Sequence, residues 1–509
     1  MNNADAIIIG SGIGGLVTGA LLARYGWSVL VCESHAISGG AAHSFSRQGF
    51  QFDSGPSFYC GLGNDGPGSD RPSLNPLRQV LDALGETLTT LPYDPLGHYH
   101  FPDHTLPIFG EGDRYRQEIA RITPQGAAEF AQLESKLLDL YQALRGIPTL
   151  ALRADLNALP LLLGRYGWEL LRLLPFVGVV QGPVGRWVDE TVRDPWVRRL
   201  VDVECFLLSG LKAAETLTPE MAFMLGERSH SVIDYPVGGS GAIVAALVRG
   251  LQKWGGTLRL KAHVEQILVE QGRAVGVRLR GGETLRSPTI ISNATLWDTY
   301  GQLLPPDALP ASFRQQALQT PTVDSFMHLH LGIRAEGLDN LTGHHVVVHS
   351  DRDITTPGNT CMISIPSVWD ASLAPPGHHV VHAYTLEPYA GWQRDESYPQ
   401  RKRQQAEPLF RALEKVIPDV RDRLTVELIG TPLTHAHYLR RHQGTYGPAI
   451  AAGQATFPDN RTPIPGLYRV GDSTLPGIGV PAVAASGILC ANTLVEPGKV
   501  REVLEQLKL

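Results

Sequence analysis

A chain of 509 residues, 43% hydrophobic and 18% charged, exceeds what one compact core accommodates, so two or three domains are expected. A net charge of −6 with no Lys/Arg run of five excludes nucleic acid as a partner. Its five cysteines, Cys32, Cys60, Cys205, Cys361 and Cys490, are odd in number and form no CxxC, which argues against a disulfide framework or structural zinc and for a reducing compartment.

The chain opens MNNADAIIIGSGIGGLVTGALLARYGWSVLVCES. The apolar run at 6–9 reads as a strand buried on both faces of a parallel sheet, and with it so near the start no signal peptide is expected. Four glycines follow, Gly10, Gly12, Gly14 and Gly15, spelling G-x-G-x-x-G. A helix with a small, apolar face comes next, then a second strand at 27–32 that ends in Glu33, 18 positions after Gly15. In this pattern Gly10 permits the tight turn, Gly12 lets backbone approach a pyrophosphate, and Gly15 lets the helix pack on the strand. Glu33 accepts hydrogen bonds from a ribose diol. An acid there favours an unphosphorylated ribose, hence FAD or NAD. A second small-residue patch follows, from Ser34 through Gly39, Gly40 and Ala41, and suits an extended cofactor with a second half to hold. FAD has that shape.

A short alternating strand is expected at 45–52 and an exposed Gly/Pro/Asp-rich loop at 61–72. Amphipathic helices are expected within 73–145, at 77–84 and 127–144. Residues 156–180 are leucine-rich. There Arg165, Glu169 and Arg172 share one helical face, and Leu159, Leu162, Leu163, Leu170, Leu173 and Leu174 cover the rest. Three charges argue against spanning a bilayer; the pattern fits a helix lying in a membrane interface, or a core-facing helix. No window reads as a spanning helix. Patterning of βαβ type returns over 236–300, with a helix at 241–254 and strands at 257–260, 274–279 and 289–292. Alternating strands at 325–333, 345–349 and 380–385 suggest the sheet of a substrate domain, and 402–416 is helical.

The fold class expected is α/β: a discontinuous Rossmann-like FAD domain, an inserted α+β substrate domain and a helical, membrane-associated region. The divisions are 1–72, 236–300 and 465–509 for the FAD domain, 73–235 for the helical region and 301–464 for the substrate domain.

Asp472 follows Gly471 at the end of a strand at 467–470, where a carboxylate can hold ribityl hydroxyls or reach a pyrophosphate through water. The segment GIGVPA at 477–482 contains Gly479, Val480 and Pro481 and opens a helix. Its N-terminus carries about half a positive charge, which would favour an anionic reduced flavin. No G-x-S-x-G elbow or catalytic triad occurs, so the chemistry is assigned to the flavin. His328 and His330, and His435 and His437, are spaced two apart and would share a face on strands. With no third ligand evident, they read as core or rim histidines, and no metal site is assigned. Glu204, Glu227, Arg441 and Tyr446 are the substrate-side candidates.

Glu33 followed by Gly39-Gly40 resembles the N-terminal signature of the flavin-containing amine oxidase and phytoene desaturase superfamily. The segment GLYRVGDSTLPGIGVPAVAASGILCANTL resembles its closing segment, and TLRLKAHVEQILVEQGRAVGVRL its adenine-side strand pair. YPVGGSGAIVAALVRGLQKWGG resembles carotenoid desaturases and cis-trans isomerases, and TPLTHAHYLRRHQGTYGPAI resembles the isomerase branch. The stretch at Ser54-Gly55-Pro56-Ser57 is closer to desaturases. The resemblance implies that Val264 grips adenine through its backbone and that Asn293 ends a strand near the pyrophosphate. It also gives Asp472 a cofactor role. It implies an FAD-dependent enzyme acting on a carotenoid or other long polyene at a membrane surface, peripheral and on the cytoplasmic side. The reaction would be cis-to-trans isomerisation of a poly-cis carotene by reduced flavin. The alternatives are a phytoene-type desaturase or polyene saturase, with a quinone or other electron acceptor. From another class comes a flavin-free prenyl carrier resembling Rab GDP-dissociation inhibitors.

Overall fold

In the computed structural model, residues 4–55, 57–63, 73–230 and 234–509 are described. Pro56 and the part of the Gly/Pro/Asp-rich loop beyond Gly63 lie outside them. The first strand, Ala6–Ile9, is buried throughout. It is flanked on both sides by parallel partners, Thr289–Ser292 and Val29–Cys32. That central position explains its unbroken apolar sequence, since neither face meets water. Leu467–Arg469 and Thr257–Arg259 complete a five-stranded parallel sheet as its edges. The strands come from three distant stretches of chain. The helix Ile13–Arg24 packs against Val480–Leu494 and Gly239–Lys253. Close approach needs small residues: a Cβ on Gly487 would fall 2.7 Å from Val17 Cγ1.

The second sheet has seven strands. Its longest strands are the antiparallel pair Ser325–Arg334 and His378–Glu387. Alternation divides the first of these cleanly. Met327, Leu329 and Leu331 face the helix Tyr398–Val416, burying Leu409, Phe410 and Leu413 with them. Phe326, His328 and His330 therefore project from the opposite face. The far edge is built from Gly97–His100 and Thr105–Ile108. Residues 73–145 therefore hold strands beside the expected helices; the short strand GHYH carries too few residues for a period to register. The stretch read as one strand at 45–52 is a hairpin, Ser44–Arg47 with Phe50–Asp53, because Gln48-Gly49 takes positive φ. A three-stranded antiparallel sheet, Val264–Glu270, Arg273–Leu279 and Thr284–Arg286, stands beside the parallel one.

The leucine-rich helix Ala158–Leu173 lies on the surface. Its inward side is Leu161, Leu162, Leu170 and Leu173, packed against the core shared with the parallel sheet. Leu156, Leu159, Leu163, Trp168, Leu171, Leu174 and Val177 are exposed, with Leu163 at 64% and Trp168 at 67%. Of the three charges, Arg165 and Arg172 are exposed and Glu169 is half-buried. Glu169 packs so closely over Gly146 that a Cβ there would fall 2.4 Å from Glu169 Cγ, and Arg165 bonds the Leu509 carbonyl. Among the described residues, no helix is long and apolar enough to cross a membrane.

Candidate functional site

A cavity of about 770 Å³ runs along the carboxyl ends of the parallel strands. Open α/β sheets place ligands there, because the strand-to-helix turns direct backbone N–H groups and helix N-termini into the crevice. Gly10, Gly12, Glu33, Ser34, Gly39, Gly40, Ala41, Val264, Asn293, Gly471, Asp472, Gly479 and Val480 all line it. Gly14, Gly15 and Pro481 are not in the lining; they shape the turns behind it. A Cβ on Gly15 would sit 2.3 Å from Gly10 O, so only glycine lets this helix meet the strand. A Cβ on Gly12 would stand 2.7 Å from Asn293 Nδ2, so the bare turn keeps the cradle open. Asn293 is its hub, with its carboxamide oxygen 2.9 Å from where a Gly471 Cβ would be.

Glu33 is buried, and its carboxylate is pinned against the cavity wall. Oε2 accepts from Ser11 N at 2.8 Å and Ser11 Oγ at 2.6 Å; Oε1 accepts from His35 N at 2.7 Å. Val264 stands across the same end, with His263 and Arg280 beside it. Sequence reasoning missed those two, since a lone His and Arg near a strand carry no spacing signal. At the other end the helix Val480–Leu494 begins at Gly479 without a side-chain cap. Its first-turn N–H groups are therefore free for a ligand. Asp472 lies beside it, in an ion pair with Arg441 and accepting from Ser473 Oγ at 3.1 Å. Arg441 also donates to Thr445 O at 2.8 Å and Tyr446 O at 3.3 Å. Arg441 lines the cavity, with its guanidinium engaged on the Asp472 side.

The remaining wall is aromatic: Phe326, His328, Tyr384, His435 and Tyr446. The Tyr446 and Phe326 rings meet edge-on at 5.1 Å. Burial pushes the Tyr384 and Tyr446 phenols up and holds His328 well below the ordinary imidazole range. Burial and the Arg441 charge lower His435 to about 3. This wall is therefore uncharged at neutral pH. The carboxylates of the lining are all held by protein donors. Asp298, for example, accepts from Thr295 Oγ1 at 2.5 Å, His442 N at 3.0 Å and Gln302 Nε2 at 2.8 Å.

Two substrate-side candidates are elsewhere. Glu204 and Glu227 are fully buried in the helical region, away from the cavity lining. Glu204 pairs with Arg228 at 2.7 Å and accepts from Tyr115 OH at 3.0 Å; Glu227 accepts from Tyr141 OH at 2.7 Å. They anchor helices, because a buried carboxylate without such partners would be too costly. Tyr446 is in the wall as expected. His435 and His437 lie on a helix, Pro432–Leu439, not a strand, so they point apart: His435 reaches the cavity and His437 is exposed. The signal was present, since Thr431 and Thr434 close a capping box around Pro432.

A glycine-lined cradle that any Cβ would fill, a pinned acid at one end and an uncapped helix start at the other fit a dinucleotide laid full length. The family described as flavin containing amine oxidoreductase matches residues 13–495. A prolycopene isomerase from Daucus carota is 35% identical over 500 residues, covering 96% of this chain and 79% of its own. A neurosporene-forming phytoene desaturase from Cereibacter sphaeroides is 26% identical, covering 99% and 97%. A crystal structure of an oxidoreductase from Methanosarcina mazei shares the fold, with a TM-score of 0.62 at 20% identity over 95% of this chain and 99% of that one.

Proposed function

This chain belongs to the flavin containing amine oxidoreductase family, and from that premise we propose that it is an FAD-dependent isomerase converting cis double bonds of a poly-cis carotene to trans. FAD is the cofactor: Gly10, Gly12 and Asn293 would take its pyrophosphate, Glu33 its ribose, and Asp472 with the helix start at Gly479 its flavin half. When bound in reduced form, FAD supplies electron density that lowers the order of a double bond and so the barrier to rotation about it.

The chain's own contribution is position and electrostatics. The N–H groups at Gly479–Val480 set a partial positive charge on the cavity wall, which favours negative charge there. Arg441 fixes the Asp472 carboxylate. Phe326, Tyr384 and Tyr446 offer flat, uncharged surfaces to a hydrocarbon and exclude water. The observation that carries the reading is this neutral wall: no unengaged carboxylate of the lining waits for an amine. Isomerisation is preferred to desaturation because the prolycopene isomerases share more of the sequence than the phytoene desaturases do.

The test is anaerobic incubation with a poly-cis carotene and chemically reduced FAD, the products being resolved by chromatography and weighed. Product of unchanged mass is expected. Activity only with oxidised flavin and a quinone or other acceptor, giving a lighter product, would establish the desaturase instead, a reading favoured by the more distant desaturase relatives.

We further infer peripheral membrane binding through the helix Ala158–Leu173 and the residues after it. Support comes from the exposed side chains Leu163, Trp168, Leu171 and Leu174, an apolar strip with a tryptophan suited to the headgroup level. Replacing these four by Ser should abolish co-flotation with liposomes and leave flavin absorbance intact. Replacing the inward-facing Leu170 and Leu173 by Asp should instead destabilise the fold. Flotation that survives the surface substitutions would place the anchor elsewhere.

A further inference from the structure

We propose that His328, His330 and His382 form a binding site for one divalent transition-metal cation of the zinc class, set in the sheet on the aromatic side of the cavity, which His328 itself lines. His328 and His330 alternate onto one face of Ser325–Arg334, and His382 stands directly opposite His330 on His378–Glu387. The register therefore brings three imidazoles together on one face of two paired strands. One ring nitrogen from each lies within 4.8 Å of the other two. Zinc–imidazole bonds of about 2.0–2.1 Å in tetrahedral array separate ligand nitrogens by about 3.3 Å. His328 Nδ1 and His382 Nε2 share a hydrogen bond at 2.8 Å, and an ion would take the place of its proton as the pair opens.

Hydrogen bonds assign the ligating atoms. His330 Nε2 donates to the Asp53 carbonyl at 3.1 Å, which leaves the Nδ1 lone pair free. His328 turns Nε2 towards His435 Nε2, 2.5 Å away, which leaves Nδ1, now bonded to His382 Nε2, as the atom that would turn to the ion. Such outer partners fix the tautomer and orientation of metal-bound histidines. His382 completes the set through Nε2; the residue is only 3% exposed, and its other nitrogen, Nδ1, has no hydrogen-bond partner. Burial keeps all three rings unprotonated, the form that ligates, with His330 lowered to about 4. Neutral nitrogen donors without a carboxylate select zinc, cobalt, nickel or copper over magnesium or calcium. A packing role would be met by aliphatic side chains, as Met327, Leu329 and Leu331 meet it on the reverse face of the same strand. Three protein ligands leave a fourth tetrahedral position for water.

Sequence alone could not show this set, because the third ligand lies 54 residues from the first.

The experiment uses the full-length, tag-free flavoprotein, stripped with a chelator and equilibrated with Co²⁺ or Zn²⁺ before gel filtration and metal analysis. The native protein should retain one equivalent. The Co²⁺ form should show ligand-field absorption to the red of the flavin bands, and Zn²⁺ should raise the melting temperature. His382→Gln should abolish retention while flavin absorbance persists. His435→Phe, which removes only an outer partner, should retain the ion about tenfold more weakly. Should His382→Gln lose its flavin, His330→Gln takes its place. A native protein that retains no ion and gains no stability from Zn²⁺ overturns the proposal, as does retention that both glutamine variants leave unchanged.

Discussion

The two sides of the cavity are built on opposite plans. The nucleotide side is defined by backbone: glycines whose missing Cβ atoms let a turn, a helix and a strand approach within contact distance. The aromatic and imidazole side is defined by side chains, delivered to one face by two long paired strands and one capped helix. A backbone site tolerates almost no added atom yet is indifferent to the proton. A wall of buried imidazoles accepts changes of shape more easily but carries a latent acid sensitivity. The two plans therefore fail differently when each is strained.

The largest effect should come from one carbon chain on the backbone side. Gly15→Val places a branched Cβ where even a methyl would stand 2.3 Å from Gly10 O. Neither atom can turn away, because both are held by the strand and helix. The variant is expected to purify without flavin colour and to take up no FAD on reconstitution. Full flavin occupancy in Gly15→Val would break the comparison at its root, since the cradle would then not depend on backbone approach.

Glu33→Ala sharpens it. The substitution leaves the glycines untouched and removes the carboxylate that Ser11 and His35 hold in place. Hydrogen bonds to a charged group contribute about 1.5–3 kcal/mol, so FAD affinity should fall roughly ten- to a hundredfold, read by quenching of flavin fluorescence. An unchanged affinity would mean that the ribose is held by another group, with His263 and Arg280 the nearest candidates in the lining.

The same contrast explains what could be read from the chain alone. G-x-G-x-x-G, the buried strand before it and the acid after it are local, and each has a mechanical reason at a fixed spacing. The central strands and their helices were legible for that cause. So was the grouping of Gly10, Glu33, Asn293, Asp472 and Val480, which the structure brings to the lining of one cavity. The imidazole wall was not. His330 meets His382 only through strand pairing, and His435 meets His328 only because a helix is capped at Thr431. Glu204 and Glu227 looked like substrate acids because their partners, Arg228, Tyr115 and Tyr141, are brought to them by tertiary packing. The edge strands Gly97–His100 and Thr105–Ile108 were lost among helices for want of length.

The smallest effect tests the latent acid sensitivity at a histidine outside the proposed ligand set, two strands across the sheet from His382. His344 lies on the same mixed sheet, fully buried, with neither ring nitrogen hydrogen-bonded. It stacks on Phe58 at 4.2 Å, between Tyr93 and Trp369. Burial, and to a lesser degree His345, lowers it to about 3, so the folded protein keeps this ring neutral. The unfolded chain protonates it near the ordinary value of about 6.5. The unfolded state thus binds the extra proton, and stability is whole above about pH 6.5 and drains away as pH falls towards about 3, by about 1.4 kcal/mol per unit. His344→Leu removes that proton. Urea midpoints measured for both proteins between about pH 7.5 and pH 5.5 should show the native protein losing about 1.4 kcal/mol more than the variant. Parallel losses would mean that the ring is charged or partnered in the fold, and that this sheet is no more tuned to the proton than the glycine cradle it faces.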